Sequence, residues 1–312
     1  MKFKKNSKGA LEISFGWLFA ILAGIVIIFI ALYFSSKLIN VQQESISAQT
    51  GKEIGSLLNP LETGFESSQT TSITIPTETK INNICDIDGE FGTQSIQLDQ
   101  KSFNKWVETD VAVSFYNKYI FSEKEIIGKK FYIFSKPFNF PFKIADLMYI
   151  VSSNERYCFV GATNEIENEL SKLNQSNLIL DECNEGDIQV CFGTKDCDIN
   201  VNLNLNYVEK NNTKMYFVDD SPELMYAAIF SEKKIYECQI KRLMMRVEKI
   251  SSLYLEKESL TQEKGCDNTL GIDLGMLSET AKNIEESKEL EIVKIEADNV
   301  DEGNNARRCF LW

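Results

Sequence analysis

Histidine is absent from all 312 residues. That absence removes the Ser-His-Asp and Cys-His nucleophilic systems and every His-ligated zinc site. There is also no glycine-rich phosphate loop, no Walker sequence and no G-x-S-x-G; Gly51-Lys52 is a lone dipeptide in a predicted helix. C-x-x-C is missing, which argues against thioredoxin-like redox work and common zinc knuckles. Carboxylate pairs and Ser/Lys chemistry remain formally open, but nothing in the pattern selects them. No catalytic residue, cofactor or metal is implied, and the chain reads as a non-enzyme. Internal repeats are lacking too. Positive charge is scarce beyond residue 37: of 33 basic and 46 acidic residues, 28 and 45 lie there. Such a balance opposes binding to nucleic acid or to an anionic membrane surface.

What the chain does have is concentrated at its start. Four lysines, Lys2, Lys4, Lys5 and Lys8, precede Gly9-Ala10-Leu11-Glu12, and an uncharged apolar run of 22 residues follows from Ile13 to Phe34. At 1.5 Å per residue, about 20 apolar residues cross the hydrocarbon of a bilayer. A cleaved secretory signal would have a shorter apolar core, about 7 to 15 residues, and a small-x-small cleavage site; here Ser35-Ser36-Lys37-Leu38 follows. A lipoprotein would need a cysteine at the end of the run, whereas the first is Cys85. The clustered lysines predict a cytoplasmic N-terminus, with residues 38–312 outside the cell and the lipid bilayer as a partner. Gly16 and Gly24 do not have GxxxG spacing and receive no role.

The run Lys8-Gly9-Ala10-Leu11-Glu12-Ile13-Ser14-Phe15 resembles the class III signal of archaeal type IV pilin-like proteins: a basic residue and glycine, then small and apolar residues, an acidic residue and an apolar helix. The resemblance covers residues 1 to about 60 and implies cleavage between Gly9 and Ala10 by a prepilin-type peptidase. It also implies a helix held in the membrane or in a filament with other pilin-like subunits. One departure stands out: Glu12 would be the third mature residue, where bacterial pilins have their glutamate fifth. A plain anchor, with Glu12 as ordinary flanking polarity among lysines and head groups, is the competing reading. The expected function is that of a membrane-anchored, pilin-like cell-surface protein with a structural or adhesive role, as a filament or minor pilin subunit. A monomeric anchored binding domain is the alternative, and an ectoenzyme stands behind it.

Eight cysteines, Cys85, Cys158, Cys183, Cys191, Cys197, Cys238, Cys266 and Cys309, all lie beyond the apolar run. Their even number fits a disulfide framework in an oxidising exterior. Cys191 and Cys197 flank Phe192-Gly193-Thr194-Lys195-Asp196, which reads as a hairpin turn, so these two form the expected local pair. A Cys266–Cys309 bridge would staple the C-terminus, and Cys183 competes for Cys197. Metal binding by Cys183, Cys191 and Cys197 is the lesser alternative.

The expected organisation is a leader at 1–9, a transmembrane helix at 10–34, a helical stalk at 35–65, a linker and first strand at 66–80, and an extracellular domain at 81–312. The fold class is α+β: a membrane and stalk helix, then a disulfide-bonded, mainly antiparallel β ectodomain with covering helices. Strands are predicted near 73–75, 95–98, 111–121, 130–134, 147–151, 156–160, 178–180, 188–192, 199–207, 214–218, 224–230 and 290–295. Strict apolar/amide alternation marks 199–206 as a half-buried antiparallel strand. Asn164 is the expected cap of a short helix, with Glu167 at its third position. Longer helices are expected at 235–257, whose stripe Ile240, Leu243, Val247, Ile250 and Tyr254 would cover a sheet or seat a partner helix, and at 274–287. Phe131 to Phe142 holds six phenylalanine or tyrosine rings and two prolines, either an exposed binding platform or a buried strand and turn. Asn174-Gln175-Ser176 and Asn211-Asn212-Thr213 are N-glycosylation sequons.

Overall fold

The computed structural model describes residues 15–58, 69–102, 105–107, 112–193, 197–219, 221–265, 269–306 and 310–312. Two compact units divide the chain at Ile46/Ser47. Helix α1 (Phe15–Leu58) is 44 residues long, about 66 Å at 1.5 Å per residue, and continues through Gly51 and Gly55. Its uncharged N-terminal half has no polar face to turn toward water.

The rest of the chain builds two sheets. The first contains β1 (Gln69–Asp86), β2 (Thr93–Ser102), β3 (Lys105–Val107), β4 (Ala112–Phe115), β5 (Tyr119–Phe121), β6 (Glu125–Asn139) and β7 (Lys143–Ser152), in the order β3-β2-β1-β6-β7-β5, with β4 also paired to β2. Only β5–β7 is parallel among its described pairs. Residues 69–72, read as linker, already belong to β1. Pro76 lies where the β1–β6 register shifts, between Thr74 and Thr79, as expected of a residue with no amide proton to give the ladder.

The second sheet contains β8 (Tyr157–Val160), β9 (Leu178–Leu180), β10 (Ile188–Phe192), β11 (Ile199–Asn202), β12 (Tyr207–Lys210) and β13 (Thr213–Tyr216), in the order β13-β12-β11-β10-β8-β9. Its centre is parallel: β8 pairs β9 and β10, and β10 pairs β11, all in the same direction. Antiparallel pairs outnumber parallel ones among the described strands, but both sheets are mixed. Helix α2 (Asn164–Leu173) supplies a crossover from β8 to β9, the connection that parallel neighbours need. Asn211 and Asn212, with φ of 51° and 57°, make the two-residue turn between β12 and β13, where positive φ at both positions matches strand twist.

Several local readings also change. Leu224–Phe230 is not a strand but most of helix α3 (Pro222–Phe230), begun by a proline at its first position, where the missing amide proton costs nothing. Leu290–Ile295 likewise opens helix α6 (Leu290–Asn305), behind a 3-10 turn whose Glu286 and Glu289 form a capping box. The alternating run from Ile199 stops at Asn202, because the Asn202 side chain accepts the Leu205 amide proton and turns the chain into a β11–β12 hairpin. Val111–Phe121 is broken between β4 and β5. Thr163, one residue before Asn164, caps α2 by accepting the Ile166 amide proton. The helices expected at 235–257 and 274–287 are α4 (Lys233–Gln262) and α5 (Gly271–Lys282), the second ending five residues earlier.

Side chains on the two faces of β6 and β7 enter different cores. Phe134, Phe138, Leu147, Tyr149 and Val151 join Val190, Ile199 and Val208 of the second sheet and residues of α2 to α6 in one large cluster. Phe131, Ile133, Met148 and Ile150 face Ile73, Ile75, Ile81, Ile96 and Leu98 in a smaller one. The aromatic stretch is consequently no exposed platform: Phe131, Tyr132, Phe134, Phe138, Phe140 and Phe142 are all buried. Ile240, Leu243 and Val247 of the α4 stripe are buried in the large cluster, with Ile250 and Tyr254 packed against its edge.

Candidate functional site

Residues Phe15–Ser35 form a 21-residue span of mean hydropathy 2.8, none of it buried within the protein. Phe15, Trp17, Ile27 and Phe29 are more than three-fifths exposed. Apolar surface of this extent is stable only when something other than water covers it. Lys8, Gly9, Ala10, Leu11 and Glu12 lie outside the described residues.

Among the described residues, three disulfides hold the second unit. Cys85 of β1 joins Cys238 of α4 across 153 residues, Cys158 of β8 joins Cys183, and Cys191 joins Cys197. Cys183 thus takes Cys158 as its partner and leaves Cys197 to Cys191. The segment inside the Cys191–Cys197 loop does not connect a hairpin, since β10 and β11 run parallel. Loop entropy ranks the bridges: closing 153 residues removes about 5 kcal/mol from the unfolded ensemble and closing 6 about 2 kcal/mol. Cys266 and Cys309 lie outside the described residues. Among the described residues, no cluster of three or more His, Cys, Asp or Glu is arranged to hold a metal.

Beside the long-range bridge is a buried polar network that sequence reading did not single out. Arg242 is fully buried; its Nε donates to the Phe91 carbonyl (3.1 Å), Nη1 to the Lys118 carbonyl (2.9 Å) and to Gln239 Oε1 (2.8 Å), and Nη2 to the Tyr116 carbonyl (3.0 Å). The guanidinium also lies 4.8 Å from the centre of the Tyr119 ring. Burial lowers its pKa, but carbonyl acceptors compensate the charge. Gly92 makes room: with φ +60°, a Cβ there would come within 2.9 Å of Arg242 Cγ. Gln239 continues the network to Gln94, and Gln94 to Asn83 (2.7 Å). Arg242, Gln239 and Cys238 therefore fix α4 to the loops and strands of the first sheet. The only sequence signal was an arginine inside the apolar stripe, between Ile240 and Leu243.

A second ionisable group surrounds α3. Lys136 of β6 pairs with Glu169 of α2 (2.5 Å), Tyr226 donates to Glu169 (3.0 Å), and Tyr149 donates to the backbone carbonyl of Glu223 (2.8 Å). Burial pushes the Glu223 carboxyl up to about 7, against the opposing pull of Lys136. Burial, with Glu169 alongside, raises the Tyr226 phenol as well. Of these groups only the Glu223 carboxyl is placed near neutrality, and the contacts tie together β6, β7, α2 and α3. They supply no activated nucleophile.

Both sequon asparagines are exposed and left-handed. Asn174 (φ 51°) ends α2 with its amide proton on the Ser171 carbonyl, and Ser176 shares a hydrogen bond with the Tyr132 hydroxyl (2.7 Å). Asn211 is at the tip of the β12–β13 turn, and the Thr213 hydroxyl donates to the Lys210 carbonyl (2.8 Å). No protein-family model, curated protein or solved structure matches this chain.

Proposed function

We propose that this chain is a membrane-anchored, pilin-like cell-surface protein with a structural or adhesive role. In this reading a prepilin-type peptidase cuts between Gly9 and Ala10, α1 stays in the bilayer or enters a filament, and residues beyond it face the exterior. The single observation that carries the proposal is the Phe15–Ser35 span, apolar on every side and with none of it buried among the described residues, directly behind Lys8-Gly9-Ala10-Leu11-Glu12. Three disulfides support an oxidising exterior. Exposed Asn174 and Asn211 are available for N-linked glycans.

Terminal sequencing of protein from native membranes tests the reading. A mature chain beginning at Ala10 is expected, and Gly9→Val should block the cut; a chain still starting at Met1 would leave a plain anchor. Shearing the cells then separates filament subunit from solitary anchor. Filament incorporation that falls in Glu12→Ala, with membrane insertion unchanged, is the expected result. Wild-type protein found only in membranes as a detergent-stable monomer removes the filament role.

A further inference from the structure

The second sheet contains a feature that the anchor does not explain. In its strand order β11-β10-β8-β9, the chain leaves the carboxyl end of β8 toward α2 and β9 on one side, while β10 leads to β11 on the other. Diverging connections of this kind open a crevice outside the carboxyl ends of parallel strands, the general location of ligand sites in such sheets. A crevice of about 300 Å³ lies there, lined by Gly161 after β8, Phe192 and Gly193 at the end of β10, and Asn202, Leu203 and Asn204 at the end of β11. Its size is at the lower end of small-molecule sites. The larger space on α2, about 460 Å³, is lined among the described residues by one helix alone.

Two glycines with positive φ line this crevice. Gly161 (φ +69°) and Gly193 (φ +128°) both occupy conformations that L side chains rarely adopt, and a Cβ on Gly193 would meet no atom within 4 Å. Asn204 is exposed and lines the crevice. Asn202 is held in place, accepting from the Leu205 amide (2.9 Å) and donating to the Tyr207 hydroxyl (3.4 Å). Phe192 is half-buried and stacks on Phe159, with ring centroids 6.5 Å apart.

This lining has a definite chemistry. Side-chain amides donate and accept together, as a hydroxyl does. A half-buried aromatic face attracts the positively polarised C–H groups of a saturated ring. None of the described lining residues is charged, and the chain's net charge of −13 repels anions. We infer that the crevice at the carboxyl ends of β8, β10 and β11 binds a neutral saccharide, with Asn204 taking hydroxyls and Phe192 a ring face. The inference rests on the adhesive form of the function proposed above and gives it a ligand class.

The test uses the full chain in detergent micelles on an array of neutral gluco-, galacto-, manno- and N-acetylhexosamine oligosaccharides, with sialylated and sulfated oligosaccharides as an anionic arm. At least one neutral oligosaccharide should be retained, and more strongly than any anionic one. Asn204→Ala and Leu203→Trp change exposed turn residues, so both should keep the wild-type melting temperature. Each should reduce retention at least tenfold, the first by losing an amide and the second by filling the crevice. No neutral retention, retention of anionic probes alone, or binding unchanged in both variants would overturn the inference. A chain that starts at Ala10 and binds no sugar loses only this inference; one that binds sugar but starts at Met1 loses only the pilin-type processing.

Discussion

The Phe15–Ser35 span and, Glu223 apart, helix α3 are both apolar all round, yet among the described residues no part of the first is buried while eight of the nine residues of the second are. A helix without a polar face must leave water, and it can do so in a protein core or in lipid. Length separates the two outcomes. Nine residues rise about 13 Å, too short to cross a bilayer but enough to lie against the strands of both sheets; 21 residues rise about 31 Å, the thickness of the hydrocarbon. The same chemistry thus produces an anchor or a core element according to how long it persists.

A buried charge gives the strongest way to break this comparison. Ala228→Asp places a carboxylate in the α3 core with no partner to receive it, and should destabilise the folded unit by more than about 4 kcal/mol. Denaturant titration reads it directly, and a loss under 1 kcal/mol would mean that α3 reaches water. Next comes Phe230→Ala. Phe230 lies 5.0 Å from the Tyr157 ring and 5.6 Å from the Phe134 ring, so truncation should cost about 3–5 kcal/mol.

Glu223 sharpens the contrast from within α3. Its carboxyl shifts from 4.5 to about 7 on burial, so the native state holds a proton that the unfolded state releases. Below pH 4.5 both forms are protonated and no penalty applies. As pH rises through about 7 the folded carboxyl must ionise in its buried setting, and stability falls. Glu223→Gln should therefore be nearly neutral at pH 4.5 and gain about 3 kcal/mol at pH 8. Parallel stability–pH curves for the two proteins would show that burial does not control this group.

The smallest folding effect is expected in the membrane span. Ile28→Asp should leave the unfolding free energy of the second unit within about 0.5 kcal/mol of wild type, because Ile28 touches no core. Its cost should appear in the bilayer instead, about 3 kcal/mol at the centre of a spanning helix. Membrane fractionation should find the variant partly released, whereas retention equal to wild type would indicate that Phe15–Ser35 does not span.

Most of the strand positions were legible because alternating or β-branched runs bury themselves only one way. The failures share a cause. Leu224–Phe230 and Leu290–Ile295 are short apolar runs whose periodicity fits strand or helix, and the deciding signals were flanking ones, Pro222 and the Glu286/Glu289 capping box. Asn202 ended a strand by hydrogen bonding to its own backbone, a local competition that alternation does not register. The candidate sites were less legible than the fold. Arg242 and Glu223 differ from exposed residues of their types only through what packs around them, and Gly161, Phe192 and Asn204 meet only after two chain crossings.

The sequence by itself determined which segment is long and apolar enough to span a bilayer, that histidine chemistry is absent, and that Cys191 and Cys197 are near enough to bond. Those properties depend on composition, run length and short chain separation. Tertiary structure alone decided the parallel centre of the second sheet, the Cys85–Cys238 bridge, the burial of Arg242 and the rise of the Glu223 pKa. Each depends on contacts between residues far apart in the chain, and desolvation is a property of the assembled surroundings, which no local pattern encodes.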